Sequence, residues 1–515
     1  MVSVPCFLGH IDLTTLLVFV LVFLLGFCVI KTPRSSIPGP FALPFIGNAL
    51  LFLRMGKKRH VGFMDLREKY GDVFRVYVGK HLMVIISGYD NIYEAFVKHA
   101  AQMSNRPEWI LPSDKTKEGI IERGVLFSSG DIWRRNRRFV LQTMRDFGMG
   151  KTSIDDVILD ESKLLCADIA STKGRPITNL KSILTASVSN IIHSMVFGYR
   201  CAHDDEGFLS VLQAMDTLVK GPGPVLQVLP KFVQNVIATG VNERNKAREF
   251  IFEYLRKQIQ EHEKTIDENN IRDLLDQKIL SFSCNETIQE KSILHLPDQD
   301  IGLKMVVTVR HTVRIVVDLF IAGTETTATT LDWALLYLIE YSDVQEKCFH
   351  EIEKEVGLNR EVHMSDKPRL PYVEATILEV QRLSNILDMT LPHASTEEVI
   401  IAGHVIPKDT IVMGHLKSAH MDPAHFPQPK EFRPQRFIDD VTGKITNKDR
   451  LIPFSIGPRV CAGEALAKSE LFLMFTNLIQ KFKFSKTSED VLSFDGFTGA
   501  TTSTEPFTLK AEPRF

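Results

Sequence analysis

The chain has 515 residues, 44% hydrophobic and 24% charged, with a formal net charge of −2. That balance excludes a disordered chain, a collagen-like repeat and a strongly basic nucleic-acid-binding domain. Its seven cysteines are scattered and form no C-x-x-C pair, which argues against a disulfide framework or a cysteine zinc site and suits a reducing compartment.

The first element is an uncharged apolar run, LTTLLVFVLVFLLGFCVI, at 13–30. As a helix rising about 1.5 Å per residue, it approaches the thickness of a bilayer core. Lys31 and Arg34 follow at once and no Lys or Arg precedes the run, so the positive-inside rule leaves the C-terminal side in the cytoplasm. With no basic n-region and a run long for an h-region, residues 11–30 read as an uncleaved, single-pass signal anchor and not a cleaved signal peptide. Asn285-Glu286-Thr287 has the form of a glycosylation acceptor, which a cytoplasmic body would leave unmodified.

Residues 31–50 form a proline-rich lead containing IPGPFALPFIGN at 37–48. Pro38, Pro40 and Pro44 fix φ and remove backbone donors, so the helix cannot continue and the lead is expected to set the body's orientation on the membrane. Residues 51–515 carry no linker or repeat and read as one body. VFRVYV (73–78) and LMVIIS (82–87), separated by Gly79-Lys80, predict a hairpin. Helical patterns dominate from 130 to 390, strand and turn signals return at 390–420, and a last helix covers about 463–482. The expected class is mainly α with a small β part.

Four stretches carry candidate chemistry. Trp133 and Arg137, in WRRNR, share one face of a basic helix, and A322-G-T-E-T-T327 lies on a long apolar helix. Glu379 and Arg382 are one turn apart and also share a face. The fourth is FSIGPRVCAG, 454–463. There a lone thiol, Cys461, is a structural cysteine, a nucleophile or a metal ligand. Gly457 and Gly463 allow turns and close backbone approach. A helix follows, whose N-terminus, with Arg459 nearby, favours a thiolate. A nucleophile wants a histidine base, and none lies in this segment, although folding can bring one from elsewhere. One thiolate suffices for haem iron, whose porphyrin supplies the in-plane ligands.

F-x-x-G-x-R-x-C-x-G resembles the haem-binding signature of the cytochrome P-450 monooxygenases, and 454–463 matches every fixed position. The resemblance runs from about residue 37 to the C-terminus and is similar in detail to the microsomal family 2 type. It implies the cytochrome P-450 fold and haem b with Cys461 as axial ligand. It implies an oxygen-activating Thr326, whose hydroxyl meets dioxygen or a water, beside a proton-relaying Glu325, with Ala322 and Gly323 letting the helix pass close to the haem. Thr hydroxyls also often bond back to the preceding turn. The resemblance further implies a buried structural triad of Glu379, Arg382 and Arg436, the last from P434-Q-R-F. Trp133, Arg137, Arg459, His393 and Arg106 are implied partners of the haem propionates, carboxylates that an arginine fork suits.

Two departures stand out. GLKMVVTVRHTV (302–313) is an insertion before the oxygen-binding helix, which would extend that helix or form a loop. Phe426 stands where many relatives carry Trp.

The function implied is that of an NADPH- and O2-dependent monooxygenase at the endoplasmic reticulum membrane, its catalytic domain facing the cytoplasm. The chain has no G-x-G-x-x-G pattern, so electrons are expected from a separate NADPH-dependent diflavin reductase, with a microsomal b-type cytochrome as a second donor. Apolar pocket segments at 105–125, 200–240 and 385–395 imply small lipophilic substrates: fatty acids, steroids or foreign compounds, with a lean to long-chain lipids. The competing readings are a reductase-independent haem-thiolate isomerase, which the Glu325-Thr326 pair disfavours, and a catalytically silent haem binder.

Overall fold

The computed structural model describes residues 12–31, 35–43, 46–107, 124–148, 152–220, 238–267, 269–283, 301–487 and 492–515. The pocket segments 108–123 and 221–237, and the acceptor Asn285, lie outside them.

Helices dominate, and the small β part is led by a four-stranded sheet. Val73–Val78 and His81–Ser87 form the expected antiparallel hairpin, with Val76 opposite Met83. His81–Ser87 then pairs in parallel with Ile411–His415, which takes His393–Ala394 on its other side. The β-branched and aromatic residues of the hairpin are almost all buried, as strands of that composition require.

The proline-rich lead is fastened to this sheet. The Arg75 amide donates to the Pro38 carbonyl at 2.8 Å, and the Tyr77 amide donates to Asn48 Oδ1 at 2.7 Å. Gly47 has φ of +60°, and a Cβ there would meet the Tyr77 carbonyl at 2.4 Å. Backbone contact of that closeness admits only glycine.

The centre of the fold is one helix of 40 residues, Ile301–Glu340, about 60 Å long at the usual rise. Residues 302–313 therefore extend the helix and form no loop. Around it pack Leu180–Phe197, Pro371–Ser384 and Glu464–Lys481. Phe320, Leu331, Leu335, Leu336 and Leu338 bury into the common core, each stabilising the fold by about 1.5–3 kcal/mol. Gly323 permits one of these contacts, since a Cβ there would lie 2.6 Å from Ile192 Cδ1. Its small size thus serves helix packing.

The N-terminal run forms the helix Leu13–Lys31, with Leu16 to Val22 exposed. Among the described residues no helix is long and apolar enough to cross a membrane. Side chains of that helix are described only from Thr14 to Phe23, a stretch too short to span a bilayer core at about 1.5 Å per residue.

Candidate functional site

The cysteine loop is held from both sides. The Cys461 amide donates to the Phe454 carbonyl at 3.0 Å, closing the loop on itself. Gly457, at φ +79°, brings the loop so near Phe96 that a Cβ would sit 2.1 Å from its carbonyl oxygen. Gly463 has ordinary negative φ and no close neighbour, so of the two glycines only Gly457 is required sterically. The helix Glu464–Lys481 starts just beyond.

Cys461 is accessible yet recessed, and burial pushes its thiol pKa up. The Gly463 amide and the Arg137 guanidinium pull it back down, while Glu464 adds to the rise. This corrects the role expected of Arg459. Its guanidinium points away, donating to the Ser104 carbonyl at 2.8 Å and the Ser128 carbonyl at 2.6 Å, and lies 3.9 Å from the centre of the Trp133 ring. The cation beside the thiol is Arg137, which donates to the Val460 carbonyl at 2.6 Å.

The other cationic candidates gather near Arg137 and Arg459. Arg106 donates to the carbonyls of Leu126, Leu391 and Pro392 at 2.9 to 3.1 Å. His393 follows Pro392, gives its Nδ1 proton to the Met103 carbonyl at 2.6 Å and packs on Phe96, with the rings tilted and their centres 4.2 Å apart. Arg106 is 6% and Arg459 8% exposed. Among the described residues no carboxylate pairs with Arg106, Arg137 or Arg459. Burial, and then mutual repulsion, lowers Arg106 to about 9 and Arg459 to about 8. The same causes hold His393 neutral, well below the usual histidine range. Buried guanidiniums without counter-ions are costly. A prosthetic group bringing two carboxylates into this cluster and an axial position to Cys461 fits that donor set, so the residues present suit haem.

Thr326 lines a cavity together with Phe454, the first residue of the cysteine loop, and with Thr327, Thr330, Ala467 and Leu471. Its hydroxyl donates to the Ala322 carbonyl at 2.7 Å. Glu325 is turned elsewhere. It accepts from the hydroxyls of Thr329 at 2.9 Å and Thr501 at 3.2 Å, and pairs with Lys181 at 3.4 Å. The Lys181 side chain is 33% exposed, so this group links the carboxylate toward solvent. Neither Lys181 nor Thr501 belongs to a local motif, and their sequence distance from Glu325 hid them.

Glu379, Arg382 and Arg436 come together in full burial. Glu379 accepts from Arg382 Nε at 2.7 Å and Nη2 at 2.8 Å, from Arg436 Nε at 3.0 Å and from the Arg433 amide at 2.9 Å. The remaining guanidinium protons go to backbone carbonyls between His420 and Glu431. Phe426, where Trp is usual, packs against Arg382 with its ring centre 5.4 Å from Cζ. The triad thus knots the segment that leads into the cysteine loop, and none of its three residues lines the cavity.

The family model described as Cytochrome P450 matches residues 37–511. The chain is 36% identical over 453 residues to cytochrome P450 2B4 of Oryctolagus cuniculus, covering 87% of each protein. It is 34% identical over 529 residues to cytochrome P450 2U1 of Homo sapiens, covering 96% of this chain and 92% of that one. It is also 36% identical over 480 residues to cytochrome P450 2C38 of Mus musculus, with 92% and 93% covered.

Proposed function

The chain belongs to the cytochrome P450 family and is a haem-thiolate monooxygenase carrying haem b, and on that premise we propose that it hydroxylates small lipophilic substrates with electrons from NADPH. The overall reaction is RH + O2 + NADPH + H⁺ giving ROH, H2O and NADP⁺. The observation that supports this reading best is that Thr326 and Phe454, the first residue of the Cys461 loop, line one cavity, while the buried Arg106 and Arg459 have no carboxylate partner among the described residues.

Cys461 is the thiolate ligand in this reading; the Gly463 amide and Arg137 favour its anion against the burial that disfavours it. Arg106, Arg137, Arg459 and His393 hold the two propionates, and Trp133 braces Arg459 from below. Bound haem supplies the activation of dioxygen, which the thiolate's electron donation favours. Thr326 gives up its intrahelical bond to Ala322 to orient dioxygen or a water. Glu325, joined to Lys181, moves protons toward Thr326. Glu379, Arg382 and Arg436 keep the approach to the loop rigid.

Electrons come from an NADPH-dependent diflavin reductase, with a microsomal b-type cytochrome as second donor. Residues 11–30 anchor the chain in the endoplasmic reticulum membrane, 31–50 are the lead, and 51–515 form the catalytic domain on the cytoplasmic side. The exposed apolar side chains from Leu16 to Val22 and the lead's bonds to the sheet support that arrangement. Substrates are fatty acids, steroids or foreign compounds, with long-chain lipids first to be tried.

Reconstitution with the reductase tests the proposal. NADPH consumption and a product heavier by one oxygen atom are expected when lipophilic compounds are offered. Turnover of hydroperoxides without NADPH would instead mark an isomerase, and haem binding without either would mark a silent binder.

A further inference from the structure

Glu470 is a carboxyl that the reading above does not use. It lies on the helix after the cysteine loop, 1% exposed. Its Oε2 accepts from the Thr327 hydroxyl at 2.9 Å, while Oε1 is buried with no hydrogen-bond partner. On its own helix Leu466, Leu471 and Met474 are buried and apolar, as are Ala328 and Leu331, which flank Thr327 along the long helix.

The charged groups on the neighbouring elements are engaged elsewhere. Asp155 is bonded by Ser469, Lys367 pairs with Glu374, and Glu379 pairs with Arg382. On the long helix Glu325 pairs with Lys181, and on its own helix Lys468 pairs with Glu464. Among the described residues no cation reaches Glu470. An ionised carboxylate with one hydrogen bond in such a place is costly, and burial raises its pKa to about 8, with only Thr327 opposing.

Thr327 is also set apart from its neighbours. The hydroxyls of Thr326 and Thr330 donate to carbonyls of their own helix. That of Thr327 crosses to the helix carrying Glu470. It ties the turn containing Thr326 to the element that begins at the cysteine loop.

We propose that Glu470 is a positioning residue, a protonated carboxyl that holds Thr327 and thereby fixes the Thr326 turn against the helix of the cysteine loop. The inference rests on the monooxygenase reading only for its effect on turnover. Loss of the proton leaves a buried charge at this contact, a cost to the packed interface that the stronger Thr327 bond to a carboxylate offsets only in part. The sign for stability follows. The folded chain keeps a proton that the unfolded chain releases near 4.5, so this group's contribution is full below that value and declines as pH rises toward about 8.

The test uses the full-length holoprotein. Infrared spectra of the resting protein should show a protonated carboxyl band at neutral pH that fades through about pH 8 and is absent in Glu470→Gln. The pH slope of the thermal midpoint should flatten in the same variant. In turnover, Glu470→Leu and Thr327→Val should divert several-fold more NADPH to peroxide, with Glu470→Gln restoring coupling relative to Glu470→Leu. A resting protein without that band, or a band unchanged by Glu470→Gln, overturns the proposal. So does coupling in Thr327→Val equal to that of the unmodified protein. If the protein proves not to be a monooxygenase, the infrared and unfolding arms still decide the state of Glu470.

Discussion

Arg382 meets Glu379 through two hydrogen bonds, Nε to Oε2 at 2.7 Å and Nη2 to Oε1 at 2.8 Å, with both side chains wholly excluded from solvent. A third bond from Arg436 Nε to Oε1 at 3.0 Å completes the charge arrangement. Two cations face one carboxylate, and the excess charge is spread over the backbone carbonyls that both guanidiniums also bind.

Removing the carboxylate strands two buried guanidiniums. Glu379→Ala is expected to destabilise the fold by about 3–5 kcal/mol and to yield little haem-loaded protein, as read by thermal unfolding and haem content. Arg436→Met, with Glu379 still paired to Arg382, should cost less.

The cationic cluster predicts opposite effects with and without haem. Arg459→Met removes one of two buried like charges, whose repulsion is among the causes that hold Arg459 at about 8. The apoprotein should hold or gain thermal stability. Haem retention should fall by roughly ten- to a hundred-fold, the worth of about 1.5–3 kcal/mol for a charged hydrogen bond, measured as haem transfer to an acceptor protein.

Thr326→Ala is expected to keep haem and fold while product per NADPH falls by roughly ten-fold, the scale of one lost hydrogen bond of about 1.4 kcal/mol. The missing electrons should appear as peroxide. Thr326→Ser should retain most of the coupling. Equal coupling in all three proteins would remove Thr326 from the chemistry.

His203 predicts a pH effect far from the haem. It bridges Glu161 and Asp168, with Nδ1 2.6 Å from Asp168 Oδ2, and the bond to Glu161 is the main cause raising its pKa above 6.5. A raised histidine stabilises fully below the unfolded value of 6.5 and loses that contribution as pH climbs through the folded value. The thermal midpoint should therefore drop on going from mildly acidic to alkaline solution, and drop less in His203→Gln.

What the sequence disclosed follows the range of the interactions. The hairpin at 73–87, the helix after Cys461 and the Glu379–Arg382 pair rest on neighbours a few residues apart, and periodicity or local spacing reveals them. The cation beside Cys461 was misread, because proximity in sequence favoured Arg459 while folding brings Arg137 to the loop. Lys181 and Glu470 were invisible for the same reason. Each meets its partner on the long helix across 144 and 143 positions of chain, and neither has a local pattern to mark it. Gly323 looked like clearance for a cofactor, and only the packing of Ile192 shows what its missing side chain permits.

The most direct test of the central claim, that the Cys461 thiolate holds the haem, is the absorption spectrum of the reduced protein under carbon monoxide. A thiolate-type Soret band is predicted for the unmodified chain, and its loss in Cys461→Ser even where haem is retained. A haem-loaded unmodified chain without that band, or a Cys461→Ser protein that keeps it, would contradict the account.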